Sequence, residues 1–382
     1  MMYLEKFHKF YPDVIKQMRD CSHHYHRPPS TKLDIDEQEL ILNPWHMEGD
    51  VWSHTMMVHN MTGDDELVPE KNKKVMELAT LFHDVGKVYT RIPNDEKCRV
   101  KFNGHTGISS YLVLNFLNKL PVGEIMLEEY IDIFYIISLH HSYMYLLGND
   151  FSEKQLNKLV SNFAGKPKLL ELVLQHMKCD SLGRFSIGEE GYNTERWQVR
   201  DLEKRYGKQI KFTEEAELRT VDEYHKANPI VGMLVGPPSS GKSTYIKEAK
   251  LAEKYDVILS RDDIVIEFSG GNVPYNKAWD IVDHSEVDTE FELRFINAVN
   301  DKANILVDKT NMNKKSRSRI LSRVSKEYFK TCYLMLTPFD TIFERNANRA
   351  NKSLDPSIIL RMMKSFSVPM HDEFDFITYS ID

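Results

Sequence analysis

The sequence predicts two domains of different class: an all-α domain over residues 1–187 and an α/β domain with a parallel sheet over 229–382, joined by a connector at 188–228. Three observations predict it. Apolar residues recur at three- and four-residue intervals through the first half. After Pro229, short apolar runs alternate with helical stretches, the pattern of βαβ units. A glycine-rich turn, Gly236-Pro-Pro-Ser-Ser-Gly-Lys-Ser-Thr244, separates one such run from a helical stretch.

The helical period is clearest in Val75-Met76-Leu78-Ala79-Phe82, in Ile108-Tyr111-Leu112-Leu114 and in Tyr130-Ile133-Phe134-Ile137. Proline and glycine punctuate it at Pro93, Gly104, Pro121, Gly123, Gly165 and Pro167. The connector is charged and lacks an apolar period; Thr194–Tyr206 is expected to be helical, and no chemistry is assigned to it. Beyond it, strands are expected at Ile230–Val235, Asp256–Leu259, Asn304–Val307, Thr331–Leu336 and Phe376–Tyr379, with a helix over Thr244–Tyr255.

The net charge of −7 gives no global sign of a nucleic-acid partner. From Lys314 to Lys364, however, twelve Lys or Arg face four Asp or Glu, which is either a basic face for a polyanion or a solvated helix surface. Cys21, Cys98, Cys179 and Cys332 are scattered with no C-x-x-C pair, so neither disulfides nor a cysteine zinc site is expected. The first residues form no signal peptide, and no run is apolar enough to span a bilayer. A cytoplasmic protein without a membrane partner is the expectation.

Residues 236–244 fit G-x-x-x-x-G-K-[ST] at every fixed position. Such a turn aims bare backbone N–H groups at an anion, and the following helix N-terminus adds partial positive charge. Gly236, Ser239, Ser240, Gly241, Lys242, Ser243 and Thr244 are therefore the candidate phosphate cradle. Lys242 would reach the outer phosphates, and the Ser243 hydroxyl would hold Mg²⁺. Acids close the next two apolar runs, at Asp262-Asp263 and Asp308, where ligands of parallel sheets bind. There a carboxylate can accept the proton of an attacking hydroxyl or hold a metal. Arg345 and Arg349 stand one helical turn apart and are expected on one face, as a lid over the transferring phosphate.

Together these residues resemble the phage polynucleotide 5′-kinase family over roughly Ile230 to Phe366. The resemblance implies ATP and Mg²⁺ at Lys242 and Ser243, Asp262 as general base, and Arg345 and Arg349 as lid arginines. Val265 stands where that family often has an arginine gripping the acceptor's 3′ phosphate, which leaves Arg261 or the basic segment for that role. Asp308-Lys-Thr-Asn311 is one residue longer than the phage Asp-Thr-Asn pattern.

In the first half, His54, the adjacent His83-Asp84 and Asp180 form a widely spaced histidine–aspartate set. His105 and one of His140 and His141 join it as candidate second-metal or phosphate ligands, and Lys87 as a phosphate contact or a surface lysine. Imidazole with carboxylate suits divalent transition metals. A metal so held lowers the pKa of bound water from about 15.7 towards about 7. His23, His24 and His26, near Pro28-Pro29, are expected to be solvated.

At His54, His83-Asp84 and Asp180 the half resembles the HD phosphohydrolase superfamily, which implies a helical fold and metal-dependent phosphoesterase chemistry with Mn²⁺, Ni²⁺ or Co²⁺. Asp180-Ser-Leu-Gly-Arg184 and Gly104-His105 are similar to the HD domain attached to bacterial CCA-adding enzymes, a subgroup acting on 2′,3′-cyclic phosphates and 2′-phosphates of RNA. The order of the halves is similar to the bacterial HD-Pnk family. That resemblance implies RNA end healing: 5′-OH ends phosphorylated from ATP, 2′,3′-cyclic phosphates hydrolysed, RNA preferred with DNA as an alternative, and an RNA ligase acting downstream. Two other readings stay open: a nucleoside or small-molecule kinase joined to a nucleotide phosphohydrolase, and a nucleotide sensor without turnover.

Overall fold

The computed structural model describes residues 2–27, 40–143, 152–187, 220–350 and 352–382, together with Gly207, Lys211 and Thr213. The helix expected over 194–206 and most of the connector lie outside the described residues. The chain divides into two compact units, Met1–Glu215 and Ala216–Asp382.

Described helices of the first unit are α1 (Met2–Phe10), α2 (Pro12–Asp20), α3 (Val51–Asn60), α4 (Glu70–Phe82), α5 (His105–Leu117), α6 (Leu127–Leu139), α7 (Glu153–Asn162) and α8 (Pro167–Leu182). Two short antiparallel pairs accompany them, Tyr25–His26 (β1) with Leu40–Ile41 (β2), and Ile92–Asn94 (β3) with Arg99–Lys101 (β4). Helix α5 is buried along nearly its whole length, as its all-round apolar sequence dictates. Phe7, Phe82 and Phe116 pack as a tilted aromatic cluster, with Phe7 and Phe82 edge to face at 4.9 Å.

Helix ends in this unit do the placing. His83 is the C-terminal cap of α4, His140 that of α6, and His105 the first residue of α5. Asp50 starts α3 by accepting from the Ser53 N–H at 2.8 Å, which sets His54 in its first turn. The tight turn Val85–Tyr89 lies directly against the start of α5. Gly86 permits that approach, because a Cβ there would stand 2.3 Å from the His105 carbonyl oxygen.

In the second unit five parallel strands run in the order β6-β7-β5-β8-β9: Val257–Ser260, Ile305–Asp308, Ile230–Val235, Phe329–Leu336 and Phe376–Ile381. Strand β5 is buried at every residue, as a central parallel strand covered on both faces must be. The register sets Ser260 beside Asp308. Phosphate turn, Asp262 and Asp308 therefore all follow or end neighbouring strands at the carboxyl end of the sheet. The helix expected to reach Tyr255 is shorter, Lys242–Glu248, with a separate turn at Leu251–Glu253.

Several charges of the basic stretch are taken up in internal pairs. Arg317 is fully buried and paired to Glu373 through two hydrogen bonds of 2.9 and 2.8 Å, with further bonds to the Ser367 and Asn311 carbonyls. Lys314 is paired with Asp372, and Arg319 and Arg323 with Glu292. Charges close in sequence thus neutralise acids brought in by other elements. Replacing Arg317 by alanine leaves a buried carboxylate uncompensated and should destabilise the unit by about 3–5 kcal/mol, read from the urea midpoint.

Among the described residues no helix is long and apolar enough to cross a membrane. All four cysteines are free thiols.

Candidate active sites

In the first unit the ends of five helices bring His54, His83, Asp84, His105, His140 and Asp180 together. His83, His105 and His140 each donate their Nδ1–H to a backbone carbonyl one turn back, those of Thr80, Phe102 and Ile137, at 2.7 Å. A carbonyl only accepts, so Nδ1 carries a proton in each, and Nε2 is the nitrogen left to face the site. These Nε2 atoms converge on Asp84. Its Oδ2 lies 3.3 Å from His83 Nε2 and 3.6 Å from His54 Nε2, and its Oδ1 lies 3.2 Å from His105 Nε2 and 3.8 Å from His140 Nε2.

Two groups of mutually close ligand atoms result, His54-His83-Asp84 and Asp84-His105-His140-His141, with Asp84 common to both. His140 is buried and His141 is exposed, yet both lie within reach of the second group. Asp180 joins through His54, its Oδ1 3.1 Å from Nε2. His83 Nε2 and Asp84 Oδ1 are buried without a hydrogen-bond partner, while Asp84 Oδ2 is met by the Lys87 ammonium. Orphaned atoms of this kind are costly unless something joins them, and a divalent cation fits the donor set.

The electrostatics agree. Burial opposes the charged form of Asp84, but Lys87 and His83 outweigh it and hold the carboxyl well below the usual carboxylate range. Burial likewise opposes the Asp180 charge, and His54 overcomes it. His140 is pushed down to about 4, chiefly by burial, and stays a neutral imidazole. His54 rises to about 9 despite burial, because Asp180, Glu48 and Asp84 surround it: the position favours a cation. Lys87 is no surface lysine. It is buried, with its ammonium 2.7 Å from Asp84 Oδ2 and 3.1 Å from His23 Nε2.

The structure adds groups that the sequence reading passed over. His176 stands one turn before Asp180 on α8, its two ring nitrogens buried and unpartnered, its ring centroid 5.3 Å from that of His83. The i, i+4 spacing to Asp180 was the available signal. His23 and His24 are buried, at 1 % and 8 % exposure, which corrects the expectation of solvated histidines; His26 alone of the three is exposed. Backbone pairing of residues 22–26 with 40–50 draws them in.

Glu48 Oε1 lies 2.9 Å from His54 Nδ1 and 2.8 Å from His46 Nδ1. A carboxylate behind a ligating histidine fixes its tautomer and raises its basicity. Glu48→Gln should therefore weaken binding of Mn²⁺ about 10- to 100-fold while the fold persists, measured by titration calorimetry.

In the second unit Lys242 is folded onto its own loop, its ammonium donating to the Gly236 and Pro237 carbonyls at 3.0 and 2.7 Å. Burial lowers it to about 8, against the pull of Asp308 and Asp262. Gly241, at φ +83°, supplies the left-handed residue that turns the loop into its helix. Ser239 and Ser240 lie in the loop, while Ser243 and Thr244 stand exposed in the first turn of the helix. The Gly236 N–H donates to the Thr310 carbonyl, so the segment after Asp308 props the cradle.

Asp262 accepts from the Tyr275 hydroxyl at 2.7 Å and is ion-paired with Lys352. Burial pushes its carboxyl up, but Lys352 and Tyr275 bring it below the ordinary value. Asp308 moves the other way, raised by burial and by Asp262 against the pull of Lys242. Two acids shifted in opposite senses can serve different roles.

Arg345 is paired with the Asp382 carboxylate at 2.8 Å and reaches within 3.6 Å of where a Gly241 Cβ would stand. Arg349 reaches Ser239 Oγ at 3.4 Å. They do not share a helical face as expected. The helix Phe339–Ala347 ends before Arg349, and the following loop brings that side chain to the cradle. The same loop carries Lys352, which the sequence reading did not single out.

Residues 51–177 match a family described as HD domain, and residues 231–369 match one described as AAA domain. No curated protein matches the chain. HD domains bind divalent metals, which agrees with the histidine–aspartate groups around Asp84. Fold, side-chain chemistry and both matches lead to one conclusion: the chain fuses a helical HD phosphohydrolase-type domain to a P-loop, kinase-like domain built on a parallel sheet.

Proposed function

We propose that this protein heals RNA ends: it phosphorylates 5′-OH polynucleotide termini from ATP and hydrolyses 2′,3′-cyclic phosphate or 2′-phosphate termini. The observation that carries the reading is the coexistence, in one chain, of a phosphate cradle beside an aspartate held below its ordinary pKa and a buried histidine–aspartate cage whose ligand atoms lie mutually close.

At the cradle, the backbone N–H groups of residues 239–244 and Lys242 would hold the β- and γ-phosphates of ATP, with Ser243 and Asp308 toward Mg²⁺. Asp262 takes the proton of the acceptor hydroxyl as its oxygen bonds the γ-phosphorus and ADP leaves. Arg345, Arg349 and Lys352 neutralise the transferring group. The ion pair to Lys352 must open or shift for Asp262 to reach the hydroxyl.

At the cage, His54, His83, Asp84 and Asp180 would hold one divalent ion, and His105 with His140 or His141 a second. Mn²⁺, Ni²⁺ or Co²⁺ suits these ligands, and the bound metal supplies water activation and charge neutralisation at phosphorus. Lys87 balances Asp84 and orients it, and His176 packs against His83 and His140. The products, a 5′-phosphate and a freed 3′ end, are the substrates of an RNA ligase. DNA ends are the alternative acceptor.

The test is an RNA bearing a 5′-OH and a 2′,3′-cyclic phosphate, incubated with ATP, Mg²⁺ and Mn²⁺ or Ni²⁺. Both ends should change. A wild-type protein that phosphorylates nucleosides and ignores the RNA would establish the second reading, a nucleoside kinase with a nucleotide phosphohydrolase. One observation favours that alternative: Val265 is fully buried, so its position offers no grip on an acceptor phosphate.

A further inference from the structure

Beside Asp262 lies an aromatic surface that phosphoryl transfer itself does not use. Tyr275 and Trp279 stand one turn apart on the helix Tyr275–Ile281, with ring centroids 6.0 Å apart. The Tyr275 hydroxyl holds Asp262 Oδ1, so this surface borders the proton-accepting carboxylate. Trp279 is 41 % exposed, yet it is fastened in place. The His284 ring lies 4.3 Å from it, and the Arg261 guanidinium sits 5.0 Å from its centroid.

Arg261 is itself pinned. Its Nε donates to Asp288 at 2.7 Å and its Nη2 lies 3.3 Å from His284 Nδ1. Its Nη1 is buried and has no hydrogen-bond partner. An orphaned guanidinium donor lacks an acceptor, and the acceptor it suits best is an anionic oxygen. A rigid indole face and an unspent guanidinium donor side by side are what one nucleotide requires: stacking for the base and charge for the phosphate.

We propose that this cluster seats the 5′-terminal nucleotide of the acceptor strand, its base stacked on Trp279 and its adjoining phosphate at Arg261 Nη1. The inference rests on the polynucleotide-kinase reading above and names the contact that selects its acceptor. It also accounts for binding without a cation at Val265. Stacking reads every base alike, so the platform confers a demand for a base and little preference among bases.

The test compares two 5′-OH oligoribonucleotides in the ATP-driven reaction, one with an ordinary terminal base and one with an abasic terminal residue. Wild type should show a lower KM for the base-bearing strand, by on the order of 5- to 150-fold from one base stacked on one aromatic ring. That gap should collapse in Trp279→Ala and return in part in Trp279→Phe. A merely structural tryptophan would raise or lower both strands together.

Equal KM values for the two strands in wild type, or a gap that survives Trp279→Ala, overturns the platform and leaves the kinase reading standing. Failure of wild type to phosphorylate either strand overturns the polynucleotide reading and the platform with it. Should Trp279→Ala not fold, the wild-type comparison and Trp279→Phe still decide.

Discussion

Lys242→Ala is expected to remove 5′-phosphorylation almost completely, by about 10³-fold or more in kcat/KM, while hydrolysis of the 2′,3′-cyclic phosphate continues. The physical reason lies in where the ammonium sits. It is folded onto the Gly236 and Pro237 carbonyls, and burial has brought it down to about 8. Those two carbonyls are weak partners for a cation in a confined loop. Phosphate oxygens would replace them, restore the full charge and place it where negative charge shifts during transfer. Preorganised charge of this kind is commonly worth 10²–10³ for a single donor, and a full cation in a confined site exceeds that. The measurement is transfer of labelled phosphate to a 5′-OH strand, with cyclic-phosphate opening followed on the same molecule. Retention of kinase activity within tenfold of wild type would remove the loop from the mechanism.

Asp84→Asn should produce the converse outcome: loss of cyclic-phosphate hydrolysis by about 10³-fold or more, loss of bound transition metal, and kinase activity retained. Asp84 is the one residue common to both ligand groups, and its carboxylate is buried with Lys87 against Oδ2 and no hydrogen-bond partner at Oδ1. Asparagine keeps the shape and removes the charge. It also turns one end of the side chain into a donor amid the Nε2 atoms of His83, His105 and His140, which the backbone bonds at Nδ1 leave facing the site. Metal content after Mn²⁺ or Ni²⁺ loading reads the loss independently of turnover. Unchanged metal content with abolished hydrolysis would make Asp84 a reacting group rather than a ligand. Loss of both activities in both variants would contradict the assignment of one activity to each unit.

Both units were legible in part. In the second, the motif, strands and acids lie within short stretches, and the strands formed where they were expected to within about two residues. The order β6-β7-β5-β8-β9 was not readable from the spacing of the runs, because strand order depends on which edges meet. Arg349 shows the limit of local reasoning. Four residues from Arg345 implies a shared helical face, yet the helix stops at Ala347 and only the fold returns Arg349 to the loop. The basic stretch shows the same limit: Glu373, Asp372 and Glu292 pair with Arg317, Lys314 and Arg319 from elsewhere in the chain.

The first unit shows a similar division. His54, His83, Asp84, His105, His140 and Asp180 were picked out by residue type and spacing, and they do converge. His176, Glu48 and the buried His23 were not, although they press against the same groups. Glu48 resembles any other loop acid until the loop is seen to fold behind His54.

What the sequence by itself determined is therefore local: the two fold classes, the phosphate turn, and the residue types able to carry phosphorus chemistry. These follow from periods of two and 3.6 residues and from chain geometry at glycine and proline, which act over a few residues. Tertiary structure alone decided the burial of His23 and Lys87, the sharing of Asp84 between two ligand groups, and the placing of Lys352 on Asp262. Each depends on packing between segments remote in sequence, where the hydrophobic effect drives burial without direction and close-packed side chains determine which polar groups meet.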